Sequence, residues 1–344
     1  MYIVIGIGLV VFLVILPIVT LVVYNKTFGE RYEERRYESY RLEDFQGLEL
    51  EKCSITANKG HNLAGFKYSR KGQSPKALFV MVHGLCGSHR NYMDLCNHFA
   101  SRDFAVFSYD ATGNGESEGK KVGGFAQGLA DLDYVLKYVK ELPEYKGLPI
   151  VLMGHSWGGF CVGNILNFHP DVKAVVSVSG FDTSYALLKQ VAQESMGKAV
   201  TLLMPYIYLY EKLCWGKYAA TSACAGFTNS DAKVMVIHSS DDPTVYGENG
   251  YDRYYEKFAG NNRFVFKLYN DRGHSYPLNS DEGRTCRTAI KEGYFATVKE
   301  SGKEAGEEYI KTHMDRSGCM KLDEELMEEI EAFFCNCLQI VSNR

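Results

Sequence analysis

Val151-Leu152-Met153-Gly154-His155-Ser156-Trp157-Gly158-Gly159-Phe160 is the stretch on which the reading of this chain turns. An apolar run ends, a Gly-x-Ser-x-Gly follows, and a stretch of helical character begins at Phe160. A serine whose hydroxyl must stand clear of a sheet needs a very tight strand-to-helix turn. Glycines two residues to either side leave room for that backbone. The free N–H groups at the start of the helix then lie beside the place where an oxyanion would develop. The bare motif arises by chance in a chain with 33 glycines, so its context carries the argument.

That context is an alternation. Leu48 to Thr56 and Asn62 to Ser69 read as a strand pair joined at Asn58-Lys59-Gly60. Short apolar runs typical of strands buried on both faces recur at Ala77–His83, Phe104–Tyr109, Ile150–Met153, Ala174–Val178 and Val234–Ile237, with Phe264–Tyr269 less clean because of Lys267. Helical stretches lie between them. From Gly124 to Val139, Phe125, Leu129, Leu132, Val135 and Leu136 share one face. Strands alternating with helices predict a mostly parallel sheet covered on both sides, with the opening pair as an antiparallel edge. Residues 181–232 exceed one crossover and carry the aromatic run Leu202 to Tyr210. They read as a helical cap, or as an ordinary surface helix pair. Residues 281–320 are charged and helical, and Asp323 to Cys337 is an amphipathic closing helix.

Ser156 is the candidate nucleophile. The loop after the run at 77–83, Gly84-Leu85-Cys86-Gly87, suits the second donor of an oxyanion hole. The backbone N–H groups of Leu85 and Trp157 are the pair expected there. His83, at a strand end, reads as structural. Nine histidines are candidate bases. The chain order serine, acid, histidine leaves His169, expected at the surface, His238, expected in the core, His313 in a charged helix, and His274 in a loop just past the last strand run. His274 is the one placed to reach a serine. For the acid, Asp242, held by Pro243, is preferred over its neighbour Asp241, which would cap the turn, and over Asp182.

The composition is that of a globular chain: 344 residues, 46% hydrophobic, 23% charged, net charge −4. Nothing in it points to nucleic acid as a partner. The ten cysteines are scattered without Cys-x-x-Cys spacing, which suggests neither a zinc site nor a disulfide framework. No metal or organic cofactor is expected.

The first segment differs from the rest. Residues 1–24 carry no charged side chain and would extend roughly 36 Å as a helix, enough to cross a bilayer, with Pro17 as a site for a kink. A cleaved signal peptide would need a basic leading region and a small-residue cleavage site, and neither is seen. Lys26, Arg31, Arg35, Arg36 and Arg41 follow the span, so the positive-inside rule predicts a cytoplasmic body. On this reading the anchor only tethers, and removing residues 1–25 should spare activity on soluble short esters.

His83-Gly84-Leu85-Cys86-Gly87-Ser88 with Tyr92, Asp110-Ala111-Thr112-Gly113-Asn114-Gly115-Glu116-Ser117-Glu118-Gly119, the elbow from Gly154 to Gly158, and Gly273-His274 occur here in order. In them the chain resembles the α/β-hydrolase superfamily, within it the monoglyceride-lipase-like, serine aminopeptidase group, over about residues 50–280 and the closing helix. It departs from that group at Asn114, where many relatives carry histidine, at Ser239, which replaces a glycine before the acid, and in the insertion at 281–320. The resemblance implies an α/β-hydrolase fold and an acyl-enzyme on Ser156. The expected organisation is an anchor at 1–24, a solvated linker at 25–46 and a hydrolase domain at 47–340 with the cap at 181–232. An esterase or lipase acting on a small-molecule, lipid-like ester is the first expectation. An aminopeptidase holding an ammonium group with Glu194, Glu211 or Asp231 is the second, and a non-catalytic binding scaffold is the third.

Overall fold

The computed structural model describes residues 2, 10–32, 34 and 39–338. The remainder, including most of residues 1–9 of the expected anchor and Arg35 and Arg36, lies outside the described residues.

Eight strands form one sheet in the order β1-β2-β4-β3-β5-β6-β7-β8. They are β1 (Leu48–Thr56), β2 (Asn62–Arg70), β3 (Ala77–Val82), β4 (Phe104–Tyr109), β5 (Ile150–His155), β6 (Ala174–Val178), β7 (Lys233–Ser239) and β8 (Phe264–Tyr269). β1 and β2 are antiparallel, and every pairing from β4 to β8 is parallel. β3 to β6 are buried along their whole length, as apolar runs without alternation require. The interleaved helices are α1 (Val11–Phe28), α2 (Met93–Ala100), α3 (Phe125–Glu141), α4 (Trp157–Asn164), α5 (Ser184–Met196), α6 (Met204–Trp215), α7 (Ala223–Asn229), α8 (Tyr251–Phe258), α9 (Asp281–Ser301), α10 (Lys303–His313), α11 (Arg316–Cys319) and α12 (Glu324–Cys337). Leu129 of α3, Phe160 of α4 and the cap pack on one face of the sheet. Phe99 of α2 and Phe334 of α12 pack on the other. α12 starts where the sequence predicts, with Asp323 accepting the Leu326 N–H at 3.1 Å.

Residues 181–232, where the sequence reading expects a cap or a surface helix pair, form α5, α6 and α7 between β6 and β7, and the insertion at 281–320 folds as α9, α10 and α11. α1 is long and apolar enough to cross a membrane by length and composition, and only 17% of the span is buried in the protein. A core helix would be mostly buried, so its upper part leaves Leu13, Ile18 and Val22 exposed. A π-helical turn at Val11–Ile15 precedes Pro17, whose missing N–H breaks the regular ladder there.

Three expectations need correction. The segment 25–46 is not a solvated linker throughout. α1 continues to Phe28, and Phe28, Tyr40 and Phe45 are buried, because aromatic side chains interspersed among the charges find the two cores. His169 is buried rather than superficial, with Nε2 2.7 Å from Asp133 Oδ1 and Nδ1 2.8 Å from Lys140 Nζ. The expectation of no disulfide fails for one pair: Cys286 of α9 is joined to Cys319 of α11. The helical hairpin brings together two cysteines 33 residues apart, which spacing alone does not reveal.

Candidate active site

Four loops at the carboxyl edge of the sheet meet over β5, the usual place for a site in an open parallel sheet. Ser156 caps α4 with φ 56° and ψ −115°, a left-handed backbone that a side chain adopts only under constraint. The constraint is visible. The Ser156 N–H donates to the Val178 carbonyl at 2.8 Å. A Cβ on Gly154 would stand 2.2 Å from the Gly158 carbonyl oxygen, and one on Gly158 would stand 2.1 Å from that of Val82. Both positions flanking the serine therefore require glycine. Gly128 in α3 leaves the space that the Trp157 ring fills, and the Trp157 Nε1–H donates to the Phe125 carbonyl at 3.0 Å.

His274 follows β8. Its Nε2 lies 2.9 Å from Ser156 Oγ, and its Nδ1 lies 2.7 Å from Asp242 Oδ2. The N–H groups of Thr244 and Val245 donate to the other carboxylate oxygen at 2.8 and 2.9 Å. Burial pushes the Asp242 carboxyl up, but the hydrogen bond and charge of His274 and the two amides outweigh it, leaving the group below its ordinary range. A carboxylate that holds Nδ1–H leaves Nε2 free to accept the serine proton.

Asp241 and Asp182 take other places. Asp241 Oδ1 accepts the Ser239 hydroxyl at 2.5 Å and the Gly273 N–H at 3.0 Å, and Ser239 Oγ accepts the Arg272 N–H at 3.0 Å. This ties the loop after β7 to the histidine loop and gives Ser239 a use that glycine lacks. Asp182 is buried against Ser222 Oγ and the Cys224 N–H, at the base of the cap. His238 is buried, as expected, and His83 is structural: the Ala111 N–H donates to its Nε2 at 2.9 Å.

Leu85 and Trp157 line the same cavity as Ser156 and His274, and among the described residues neither N–H donates to another backbone group. The cavity measures about 370 Å³. Phe125, Phe181, Leu187 and Leu188 give it apolar walls; among its described lining residues Lys291 of α9 is the one cation and there is no carboxylate.

Sequence reading gave no role to His155 and placed Tyr92 only by resemblance. His155, the variable position of the elbow, places Nε2 2.7 Å from the His274 carbonyl and Nδ1 2.8 Å from Tyr92 Oη. A carbonyl only accepts, so Nε2 carries the proton and the Tyr92 hydroxyl donates to Nδ1. The Gly84 N–H donates to Tyr92 Oη at 3.2 Å. The loop carrying Leu85 is thus linked through Tyr92 and His155 to the loop carrying His274. Burial, followed by the nearby His274, lowers the His155 pKa to about 3, which keeps it neutral. The signal available in the sequence was histidine beside the serine, with tyrosine eight residues past Gly84.

The family model described as serine aminopeptidase, S33, matches residues 73–270. The chain belongs to this family. It is 35% identical over 96 residues to the monoglyceride lipase of Homo sapiens, covering 27% of this chain and 31% of that protein, and 35% identical over 92 residues to a monoglyceride lipase homolog of Monkeypox virus, covering 27% and 33%. The matched part thus spans about a third of these relatives. An esterase of Pyrococcus furiosus superposes with a TM-score of 0.54 at 18% identity over 80% of this chain and 96% of its own, a likeness of fold.

Proposed function

We propose that the chain is a serine hydrolase that cleaves an apolar carboxylic ester through an acyl-enzyme on Ser156. The observation that carries the reading is the continuous chain Ser156 Oγ, His274, Asp242 at 2.9 and 2.7 Å inside an apolar cavity. His274 takes the serine proton as Oγ attacks the acyl carbonyl, then gives it to the leaving oxygen. The N–H groups of Leu85 and Trp157 receive the oxyanion, and water resolves the acyl-enzyme by the same route. A small-molecule ester is the only partner the chemistry needs, and no cofactor enters it.

Among the described lining residues the aminopeptidase reading finds no carboxylate for the substrate ammonium. Glu211 is buried against Tyr24 and Ser184, Glu194 and Asp231 are exposed outside the cavity, and Lys291 would repel an amine. The scaffold reading leaves the assembled chain of hydrogen bonds without a purpose.

α1 serves as the membrane anchor, and the basic residues after it favour a cytoplasmic body. The Cys286–Cys319 pair favours the opposite, oxidising side. Alkylation of intact cells with a membrane-impermeant maleimide, before and after reduction, decides between them: labelling of Cys286 only after permeabilisation places the body inside.

The activity test uses detergent-solubilised protein, a fluorophosphonate probe and a ladder of p-nitrophenyl esters. Wild type labels and hydrolyses esters, and Ser156→Ala does neither. Equal labelling of the two proteins, or of neither, removes this reading.

A further inference from the structure

α1 does more than leave the body. Its last turn enters the same core as the catalytic strands. Tyr24 and Phe28 are buried, with Tyr24 5.0 Å from the Tyr210 ring and Phe28 5.0 Å from the Phe125 ring. Tyr24 Oη donates to Glu211 Oε1 at 2.9 Å, and Ser184 Oγ donates to Oε2 at 2.6 Å, so one buried carboxyl joins α1, α5 and α6. The Gly123 N–H donates to the Phe28 carbonyl at 3.0 Å, and the Val122 N–H to that of Glu30 at 3.1 Å. The Arg31 guanidinium donates to the carbonyls of Gly115, Ser117 and Gly119. Buried rings and satisfied polar groups on this scale fix an element in place.

Two residues of this turn line the catalytic cavity. Phe28, buried, is part of its wall, and Thr27, exposed, lines it at the surface, as does Val191 of α5. α6 runs beside α1 above them. Tyr206 packs on Phe12 with ring centroids 5.6 Å apart and donates to the Phe12 carbonyl, which lies within the apolar span. The exposed residues of α6 are the apolar Pro205, Tyr208, Leu209 and Leu213 with Cys214, and one charge, Lys212. If α1 lies in a bilayer, this face lies there with it, since the contacts at Phe12 and Tyr24 hold the two helices side by side.

We propose that the end of α1 is a specificity-determining wall of the cavity, and that its rim at Thr27 admits a single long acyl chain directly from the bilayer. The substrate class is a carboxylic ester with one long aliphatic chain dissolved in a membrane leaflet. The inference rests on the serine-hydrolase reading above. It replaces a tether by a part of the binding site: cutting at residue 25 would remove Tyr24 and free Phe28, so a truncated body would not keep the same cavity.

The test is the ratio of kcat/KM for a hexadecanoyl ester to that for an acetyl ester, measured on full-length protein in vesicles of neutral phospholipid. The variants are Thr27→Trp, at an exposed position where folding is not at risk, and Phe28→Leu. Fluorophosphonate labelling is followed in parallel. A bulky rim in Thr27→Trp is expected to lower the ratio by about tenfold or more, the scale on which apolar pockets discriminate chain size. Phe28→Leu is expected to move the optimum chain length. Labelled variants with ratios within about twofold of wild type, below the discrimination that one methylene gives, would overturn the proposal. An unlabelled wild type would instead remove the serine reading on which it stands.

Discussion

The elbow around Ser156 and the end of α1 border one cavity, yet they meet it on different terms. At the elbow the chemistry prescribes residue types. The turn demands glycines at 154 and 158, since a Cβ at either would press on a carbonyl oxygen, and it demands a hydroxyl between them. At α1 only apolarity and size are prescribed, and a bilayer prescribes the same. Tyr24 and Phe28 face protein while Leu13 and Val22 are exposed, but nothing in their identities separates the two settings. A local motif announces itself; a shared boundary does not.

The sharpest difference to test is in catalysis. His274→Ala should lower kcat by on the order of 10⁶-fold with the protein still folded, as expected when the base of a coupled unit is removed. No substitution at Tyr24 or Phe28 should approach that, because neither touches the reacting atoms. Steady-state kinetics beside circular dichroism checks both. A comparable loss from Phe28→Leu would break the comparison.

Glycine substitutions compare the two regions in stability. In Gly154→Ala the new methyl meets the Gly158 carbonyl at 2.2 Å, and backbone in a packed elbow cannot yield. We expect no folded protein, or a loss above about 3 kcal/mol. In Gly124→Ala the methyl meets the Tyr24 hydroxyl at 2.0 Å at a φ of 145°. There a side chain near the end of the domain can give way, so we expect a folded sheet with α1 displaced, at about 1–3 kcal/mol. Thermal unfolding reports the first outcome, and protease cleavage near Lys26 the second.

Much of the site was legible in the sequence because each piece obeys a local rule. The strands at 104–109, 174–178 and 264–269 fall where the apolar runs placed them, and the structure brings Ser156, His274 and Asp242, each to the next, within hydrogen-bond distance. What stayed hidden is held by pairings across long stretches of chain. Tyr24 and Glu211 are 187 residues apart, and Cys286 and Cys319 come together only through a helical hairpin. His169 looked superficial because its partner Asp133 lies on another helix. His155 belongs between these groups: it sits inside the motif, but its use depends on Tyr92 and the His274 carbonyl. Tyr92→Phe should therefore lower kcat by about 10- to 100-fold with KM little changed, since it loosens two loops without removing a reacting group. An unchanged kcat would show that the linkage does not position the site.

The smallest effect is the most discriminating, because acid should act on the two regions with opposite sign. His155, lowered to about 3 by burial and by His274, is neutral in the folded chain and titrates near 6.5 once unfolded. Between those values the unfolded chain binds a proton that the folded one refuses. Stability then falls as pH falls, by up to about 1.4 kcal/mol per pH unit from this group. His98, lowered to about 3 by burial and Arg102, adds to the same trend, and the buried His83 and His238 shift in the same direction. Glu211 runs the other way. Burial holds its carboxyl above the ordinary range, against the bonds from Ser184 and Tyr24, so what it contributes is present in acid and lost as pH rises through its folded value. Hydrogen exchange can read both, once corrected for the intrinsic pH dependence of exchange. Protection of the Ser156 amide, bound to the Val178 carbonyl, should weaken toward pH 4. Protection of the Gly123 amide, bound to the Phe28 carbonyl, should weaken less in acid and more above neutrality. If the two amides respond alike, the end of α1 opens only when the whole domain opens, and it belongs to the fold as fully as the elbow does.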